Sequence, residues 1–248
     1  MNRAEFANIA RAEKGLWWYR GMREILFRLL DPLVKARRFS RVLEAGCGTG
    51  YMSRVLEERC GWPVCSLDLG WEGFEYGRRY GVRRMVQGDL RRLPFPGAAF
   101  DAVLSLDVLV HIPPGEERPA MAELARVLAP GGLLVVRVSA LNILRSRHSM
   151  FVGERQRFTR GRLVRLAEEC GIRAVRVTYA NSLLVPVALA KFRLWEPLLR
   201  KPPASDVKPL PAWLDSLLYA PLALEARWIG SGGNLPLGQS LIFIGYRL

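Results

Sequence analysis

The sequence predicts an α/β fold on a mostly parallel sheet, and three observations carry that prediction. From 41 to 138, apolar runs of strand length alternate with stretches of helical length. The first run, Val42-Leu43-Glu44-Ala45, opens directly into Gly46-Cys47-Gly48-Thr49-Gly50, a strand turning through glycines onto a helix. The last, 239–247, contains Leu241-Ile242-Phe243-Ile244, the unbroken apolar block of a strand buried on both faces. With 248 residues, half of them apolar, one enlarged domain suffices to hold the core.

In chain order, the pattern gives strands at 41–45, 63–67, 83–86, 100–105 and 132–138, with helices at 50–60, 71–80 and 116–129. Gly61 and Gly81 stop the first two helices, and Ala129-Pro130-Gly131-Gly132 ends the third and turns into the fifth strand. Residues 139–158 read as polar and irregular. Thr159 is placed to cap a helix at 160–170 that Gly171 ends, before a sixth strand at 172–179. Between it and the seventh strand, 181–238 is too long for an ordinary connection and must carry structure of its own. Its tryptophans, leucines and prolines predict two or three short helices and an exposed proline-rich loop at 200–211. The leading segment reads as one or two helices, densest in aromatics at Trp17-Trp18-Tyr19. The organisation expected is a helical lid over 1–38, a core over 39–180 and 239–248, and a helical insertion over 181–238 that forms a substrate cap.

A net charge of +14 suits a solvated basic surface, an anionic membrane or lipid phosphate, or a nucleic acid. Basic residues are scattered as pairs such as Arg37-Arg38 and Arg91-Arg92, not clustered, which argues against nucleic acid. Cys47, Cys60, Cys65 and Cys170 lack ligand spacing, so no metal site is expected. Charges at Arg3, Glu5, Arg11, Glu13 and Lys14 interrupt any signal-peptide core, and Pro186, Lys191, Arg193, Glu196 and Pro197 break the greasy tract at 183–199. The expected location is the cytoplasm, with peripheral contact at the inner membrane face left open.

The chemistry sits in the glycine loop and in the segments downstream of it. The loop's spacing, Glu-x-Gly-x-Gly-x-Gly, departs from the Gly-x-Gly-x-x-Gly of dinucleotide sites. Asp68 ends the second strand 22 residues beyond Gly46, where a carboxylate can hold both hydroxyls of a ribose. Further on come Gly88-Asp89-Leu90, then Phe100-Asp101-Ala102-Val103-Leu104-Ser105-Leu106, Asp107-Val108-Leu109-Val110-His111, and a 123–136 block ending Pro130-Gly131-Gly132-Leu133-Leu134-Val135-Val136. Together these resemble the type 11 family of class I S-adenosylmethionine (SAM) methyltransferases, strongly over 40–140 and weakly at 159–179 and 239–247.

The resemblance implies a Rossmann-like seven-stranded sheet of order 3-2-1-4-5-7-6 with its last strand antiparallel. It implies SAM as cofactor, with Glu44 holding the methionine amino group and Gly46 and Gly48 passing beneath. Asp68 would bind the ribose, Leu69 would wall the adenine, Asp89 would accept from its amino group with Leu90 alongside, and the Leu106 carbonyl would meet the ammonium. His111 would be either a general base or the anchor of its loop. The 17–20 run resembles a lid segment of some bacterial members in which Arg20 would meet the methionine carboxylate, though Leu16 stands where they have histidine; a plain packing helix is the other reading. In 154–159, Glu154 replaces a histidine common in relatives and Phe158 a tyrosine, which puts a role for that histidine in doubt here; His148 reads as a solvated loop residue.

The implied reaction is in-line methyl transfer to a small-molecule or lipid-linked acceptor, which needs positioning more than acid–base help. Rivals are an RNA or protein methyltransferase, which lacks an Asn-Pro-Pro-Tyr-like motif here, and a SAM-binding protein without catalysis. The insertion's Leu183, Leu184, Val187, Leu194, Trp195 and Leu198, with Lys191, Arg193, Arg200 and Lys201 nearby, suit a hydrophobic acceptor or an anionic bilayer, unless they pack on the core.

Overall fold

The computed structural model describes residues 3–199 and 202–248; Arg200 and Lys201 lie outside the described residues. Helices α1 (Arg3–Ala12) and α2 (Trp17–Ala36) lead into β1 (Val42–Ala45), α3 (Tyr51–Cys60), β2 (Val64–Asp68), α4 (Phe74–Arg79), β3 (Met85–Gln87) and β4 (Phe100–Leu106). There follow α5 (Glu117–Val127), β5 (Leu128–Ser139), α6 (Arg147–Phe151), α7 (Arg160–Glu168), β6 (Ile172–Ala180), α8 (Val185–Leu189), α9 (Glu196–Leu199), α10 (Ala212–Gly230) and β7 (Ser240–Arg247). The strands make one sheet of order β3-β2-β1-β4-β5-β7-β6, parallel except for β7, as the resemblance implies.

Alternate residues of each strand feed opposite faces, which is why the apolar runs are continuous. Leu43, Leu67, Val103, Leu134 and Phe243 pack under Met121 and Leu124 of α5 and Leu163 of α7. Val42, Val64, Leu104, Val135 and Ile242 pack under Ile25, Leu26 and Leu29 of α2, Leu56 of α3, and Leu222 and Ile229 of α10. Each such side chain is essentially fully buried, worth roughly 1.5–3 kcal/mol against exposure. Because β2 and β4 flank β1, the strand order reverses there, and the carboxyl ends of all three strands share one edge.

Several elements differ from their sequence reading. β5 begins at Leu128, not 132: Phe100 pairs with Leu128 and Ala102 with Leu133, so Ala129–Gly132 bulges out between two ladder partners. The irregular 139–158 stretch contains α6, started by a reciprocal capping box between Ser146 and Ser149. In the insertion, α8, a π-helical turn at Ala190–Trp195 and α9 run on without a break, and α10 is a single 19-residue helix with Pro221 inside it. Proline at 186 lies in the first turn of α8, where its missing N–H costs no helical hydrogen bond. The loop before α10 is not wholly exposed, since Ser205 is buried against Glu5, to which its hydroxyl donates at 2.9 Å. Of the insertion's apolar residues, Leu184 packs inward while Leu183, Val187, Leu194, Trp195 and Leu198 are exposed.

The close crossing of α2 and α10 has a specific cause. A Cβ on Gly21 would lie 2.4 Å from Leu222 Cδ1, so only glycine permits this approach. Glu225 then ties α10 to the start of the α8 turn, its Oε1 accepting the N–H groups of Ser182 and Leu183, both at 2.7 Å.

Candidate functional site

The carboxyl ends of β1, β2 and β4 open into a cavity of about 1610 Å³, larger than the ~300–1,000 Å³ usual for one small ligand. Its floor is the glycine loop. The N–H groups of Gly46 and Cys47 donate to the Leu67 carbonyl at 2.7 and 2.8 Å, folding the loop across the end of β2. A Cβ on Gly46 (φ +93°) would meet Val108 Cγ2 at 2.1 Å, whereas one on Gly48 (φ +55°) would meet nothing within 4 Å. Gly46 is therefore required for packing, and Gly48 offers bare backbone to the cavity. Gly73, which sequence reasoning passed over, locks the loop from behind: a Cβ there would fall 1.8 Å from the Gly48 carbonyl oxygen.

Asp68 spans two turns, its Oδ2 accepting Gly48 N–H at 2.8 Å and its Oδ1 accepting Gly70 N–H at 2.9 Å. Burial raises its carboxyl above the ordinary range despite those donors. Deeper in, the Ser66 hydroxyl donates to Ser53 at 2.6 Å, and Ser53 donates to Glu44. Burial pushes the Glu44 carboxyl up to about 8, the Ser53 hydrogen bond opposing only part of the shift. Glu13, just after α1 and also raised by burial, accepts from Thr49 of the loop at 2.6 Å and from the Tyr80 hydroxyl at 2.9 Å. A group of buried carboxyls thus surrounds the loop, a setting that favours a cationic ligand group.

Glu44, Gly46, Gly48, Asp68, Leu69, Asp89, Leu90, Leu106 and His111 all line this cavity. Leu69 is exposed and Leu90 buried. The Asp89 carboxylate is engaged by Arg91, whose Nε lies 3.1 Å from both oxygens and whose Nη2 lies 2.7 Å from Oδ2, and this pairing lowers its pKa. Any adenine amino group would share it with that guanidinium. His111 places Nδ1 3.1 Å from the Gly153 carbonyl, and burial lowers its pKa. A neutral ring in that contact carries its proton on Nδ1 and leaves Nε2 as an acceptor.

Arg20 corrects the sequence reading. It is absent from the cavity wall: its guanidinium pairs with Asp215 of α10 at 2.7 Å and lies 4.3 Å from the Tyr219 ring centroid. The helical period decides this, because Trp17, Trp18 and Tyr19 face the cavity and Arg20 then turns toward α10. Arg137 of β5 is a cavity arginine instead, held by Asp107 at 2.6 Å and lying 5.2 Å from the Trp18 ring. A charged residue inside the otherwise apolar β5 was the signal available in the sequence. Glu154, in the place of the expected histidine, is buried in an ion pair with Arg157 at 2.5 Å. His148 is not a free loop histidine, since its Nδ1 accepts the Asp206 N–H at 3.2 Å.

Residues 43–136 match the methyltransferase domain family known as type 11. Over that stretch the chain carries a methyltransferase domain. The SAM-dependent class fits the glycine loop and its acidic surroundings, and the fold agrees over the whole chain: a TehB-like SAM-dependent methyltransferase from Corynebacterium glutamicum superposes with a TM-score of 0.58 at 19% identity, covering 100% of both chains. Over 130 residues the domain is 35% identical to a malonyl-[acyl-carrier protein] O-methyltransferase of Enterobacter lignolyticus, covering 51% of this chain and 51% of that protein. Over 104 residues it is 36% identical to a sterol 24-C-methyltransferase of Gibberella zeae, covering 39% of this chain and 27% of that protein. The chain thus spans about half or less of the length of these curated relatives.

Proposed function

We propose that the chain binds SAM on the glycine loop and transfers its methyl group to a hydrophobic, lipid-like acceptor held under the 181–238 insertion. The supporting observation is the continuity of the cavity. From the loop it runs on between Leu184, Val187, Ala188 and Phe192 on one side and Leu210, Leu214 and Leu218 on the other. The charged residues that the insertion adds to this lining, Lys191 and Asp206, pair with each other, so the apolar side chains favour a hydrocarbon over an ionic metabolite. Two relatives whose names specify an acyl-carrier substrate and a sterol support the same class.

The residues present suit SAM. Gly48 leaves room for close approach, Glu44 and Asp68 supply carboxyls for an ammonium and a ribose, and Leu69 and Leu90 supply apolar walls. Asp68 retains lone pairs beyond those its two backbone donors use. Arg137, rather than Arg20, is the residue we assign to the methionine carboxylate. When bound, the sulfonium supplies an activated methyl with a good leaving group, so the protein's task is alignment and exclusion of water. Glu5 and Ile9 of α1, with Glu13 just beyond it, line the cavity, which supports a lid role for the leading helices. His111, neutral with Nε2 unprotonated, can take a proton from a hydroxyl or carboxyl acceptor.

Incubation of the full chain with methyl-labelled SAM and fractionated metabolite pools tests the proposal. Label should pass into the organic-soluble lipid or acyl fraction. Label confined to aqueous metabolites or to RNA would overturn the acceptor class, and binding of S-adenosylhomocysteine without turnover on any pool would overturn catalysis.

A further inference from the structure

We infer that the outward face of the insertion docks on an anionic lipid bilayer. In α10, Trp213, Leu217, Ala220, Leu224 and Trp228 recur at spacings of four, three, four and four, one stripe along the whole helix. The opposite side, with Leu222, Ala226 and Ile229, is buried against the core. The stripe itself is uncovered: Trp213, Leu217, Leu224 and Trp228 are 69%, 61%, 55% and 57% exposed. The neighbouring helical run adds Leu183, Leu194, Trp195 and Leu198, each more than half exposed. Single exposed leucines need no explanation, but an apolar row along the whole length of a helix does.

Composition and charge choose the occupant. Tryptophan at both ends of a stripe with leucine between suits the headgroup boundary, where an indole buries its rings and keeps its N–H wet. Crossing the bilayer is not the arrangement, because α10 also carries Asp215, Glu225 and Arg227 and no helix among the described residues is long and apolar enough to span. A helix lying in the interface plane needs only one apolar face. The acidic residues of the insertion are Glu196, Asp206, Asp215 and Glu225. Glu196 and Glu225 are buried, and Asp206 and Asp215 are paired with Lys191 and Arg20. Arg193, Lys208 and Arg227 are exposed, with no carboxylate partner among the described residues. With a chain charge of +14, two copies would repel across such a face, whereas anionic lipid would be attracted.

Docking would also place the apolar chamber, whose walls come from the same two helical segments, toward the lipid. That clause alone rests on the acceptor proposed above.

Flotation of the full chain with phosphatidylcholine vesicles and with vesicles enriched in phosphatidylglycerol tests the inference. The expected result is binding to the anionic vesicles, weaker binding to the neutral ones, and a loss of at least about tenfold in partitioning for Trp213→Ser with Trp228→Ser. Arg193→Gln with Arg227→Gln should narrow the difference between the two lipids. Both double variants should keep the SAM affinity of the parent, which shows the fold intact and separates this test from the cofactor reading. No flotation with either vesicle, or equal flotation of the tryptophan variant, overturns the inference. So does a concentration-dependent dimer that the tryptophan substitutions dissociate while vesicles are ignored.

Discussion

The Asp68 carboxylate accepts the backbone N–H of Gly48 at 2.8 Å, joining the end of β2 to the loop after β1. One side chain therefore shapes the glycine loop and also presents its remaining lone pairs to the cavity. Asp68→Ala should weaken SAM binding by at least about tenfold, since charge-assisted hydrogen bonds are worth roughly 1.5–3 kcal/mol each, and should lower the melting temperature by freeing the donors of Gly48 and Gly70. Calorimetric titration and thermal unfolding read the two effects separately. An unchanged dissociation constant would remove Asp68 from the cofactor site.

Glu44 gives the folded protein a distinctive pH dependence. The carboxyl titrates near its ordinary 4.5 in the unfolded chain and at about 8 in the folded one. Between those values the folded state holds the extra proton, so this contribution is fully present below about pH 4.5 and declines as pH rises toward 8. Denaturant unfolding across that window should show a flatter stability profile for Glu44→Gln than for the parent. An ammonium brought beside Glu44 favours the carboxylate, so SAM binding near neutral pH should release protons to buffer. Calorimetry in buffers of different ionisation enthalpy should detect that release in the parent and not in Glu44→Gln.

Arg20 and Asp215 clasp α2 to α10, and Asp215 also accepts the Trp17 N–H at 2.7 Å. Arg20→Ala should cost about 1 kcal/mol or less, as partly exposed ion pairs do, and should leave SAM affinity within about twofold, a difference of ~0.4 kcal/mol. Asp215→Ala should cost more because it leaves two donors without their acceptor. Large loss of SAM affinity in Arg20→Ala, with stability retained, would return that arginine to the cofactor site.

For His111, the expectation is kinetic. With an acceptor in hand, His111→Gln should depress kcat far more than SAM affinity and flatten the acidic limb of the rate profile. In the parent that limb should have its midpoint below 6.5, because burial lowers the histidine. Parallel loss of folding stability and turnover, with the limb intact, would make the Gly153 contact an anchor and nothing more.

Gly73→Ala tests the packing behind the loop. Its Cβ would collide with backbone, the Gly48 carbonyl, which no rotamer change relieves. SAM affinity should fall although Gly73 does not line the cavity. Retained affinity would mean that the loop shifts without consequence.

Local chemistry made much of this protein legible. Apolar runs, glycine stops and the Glu44-to-Gly50 loop depend on near neighbours in the chain, so the strand order, the glycine cradle and the positions of Glu44, Asp68 and His111 came from the sequence and the family it resembles. Relations between distant segments were not encoded that way. Whether Arg20 faced the cavity or α10 depended on the rotation of α2 about its axis, which Gly21 and Leu222 set by close contact 201 positions apart in the chain. Arg137 is a lone charge in an apolar strand, and only folding set Asp107 and Trp18 around it. The same holds for the insertion: its apolar residues could pack inward or face outward with equal local propensity, and only the docking of α10 on α2 left Trp213, Leu217, Leu224 and Trp228 uncovered. Short-range patterning decides what each segment becomes; burial, which counts every segment at once, decides which of its faces meets the site and which meets the surroundings.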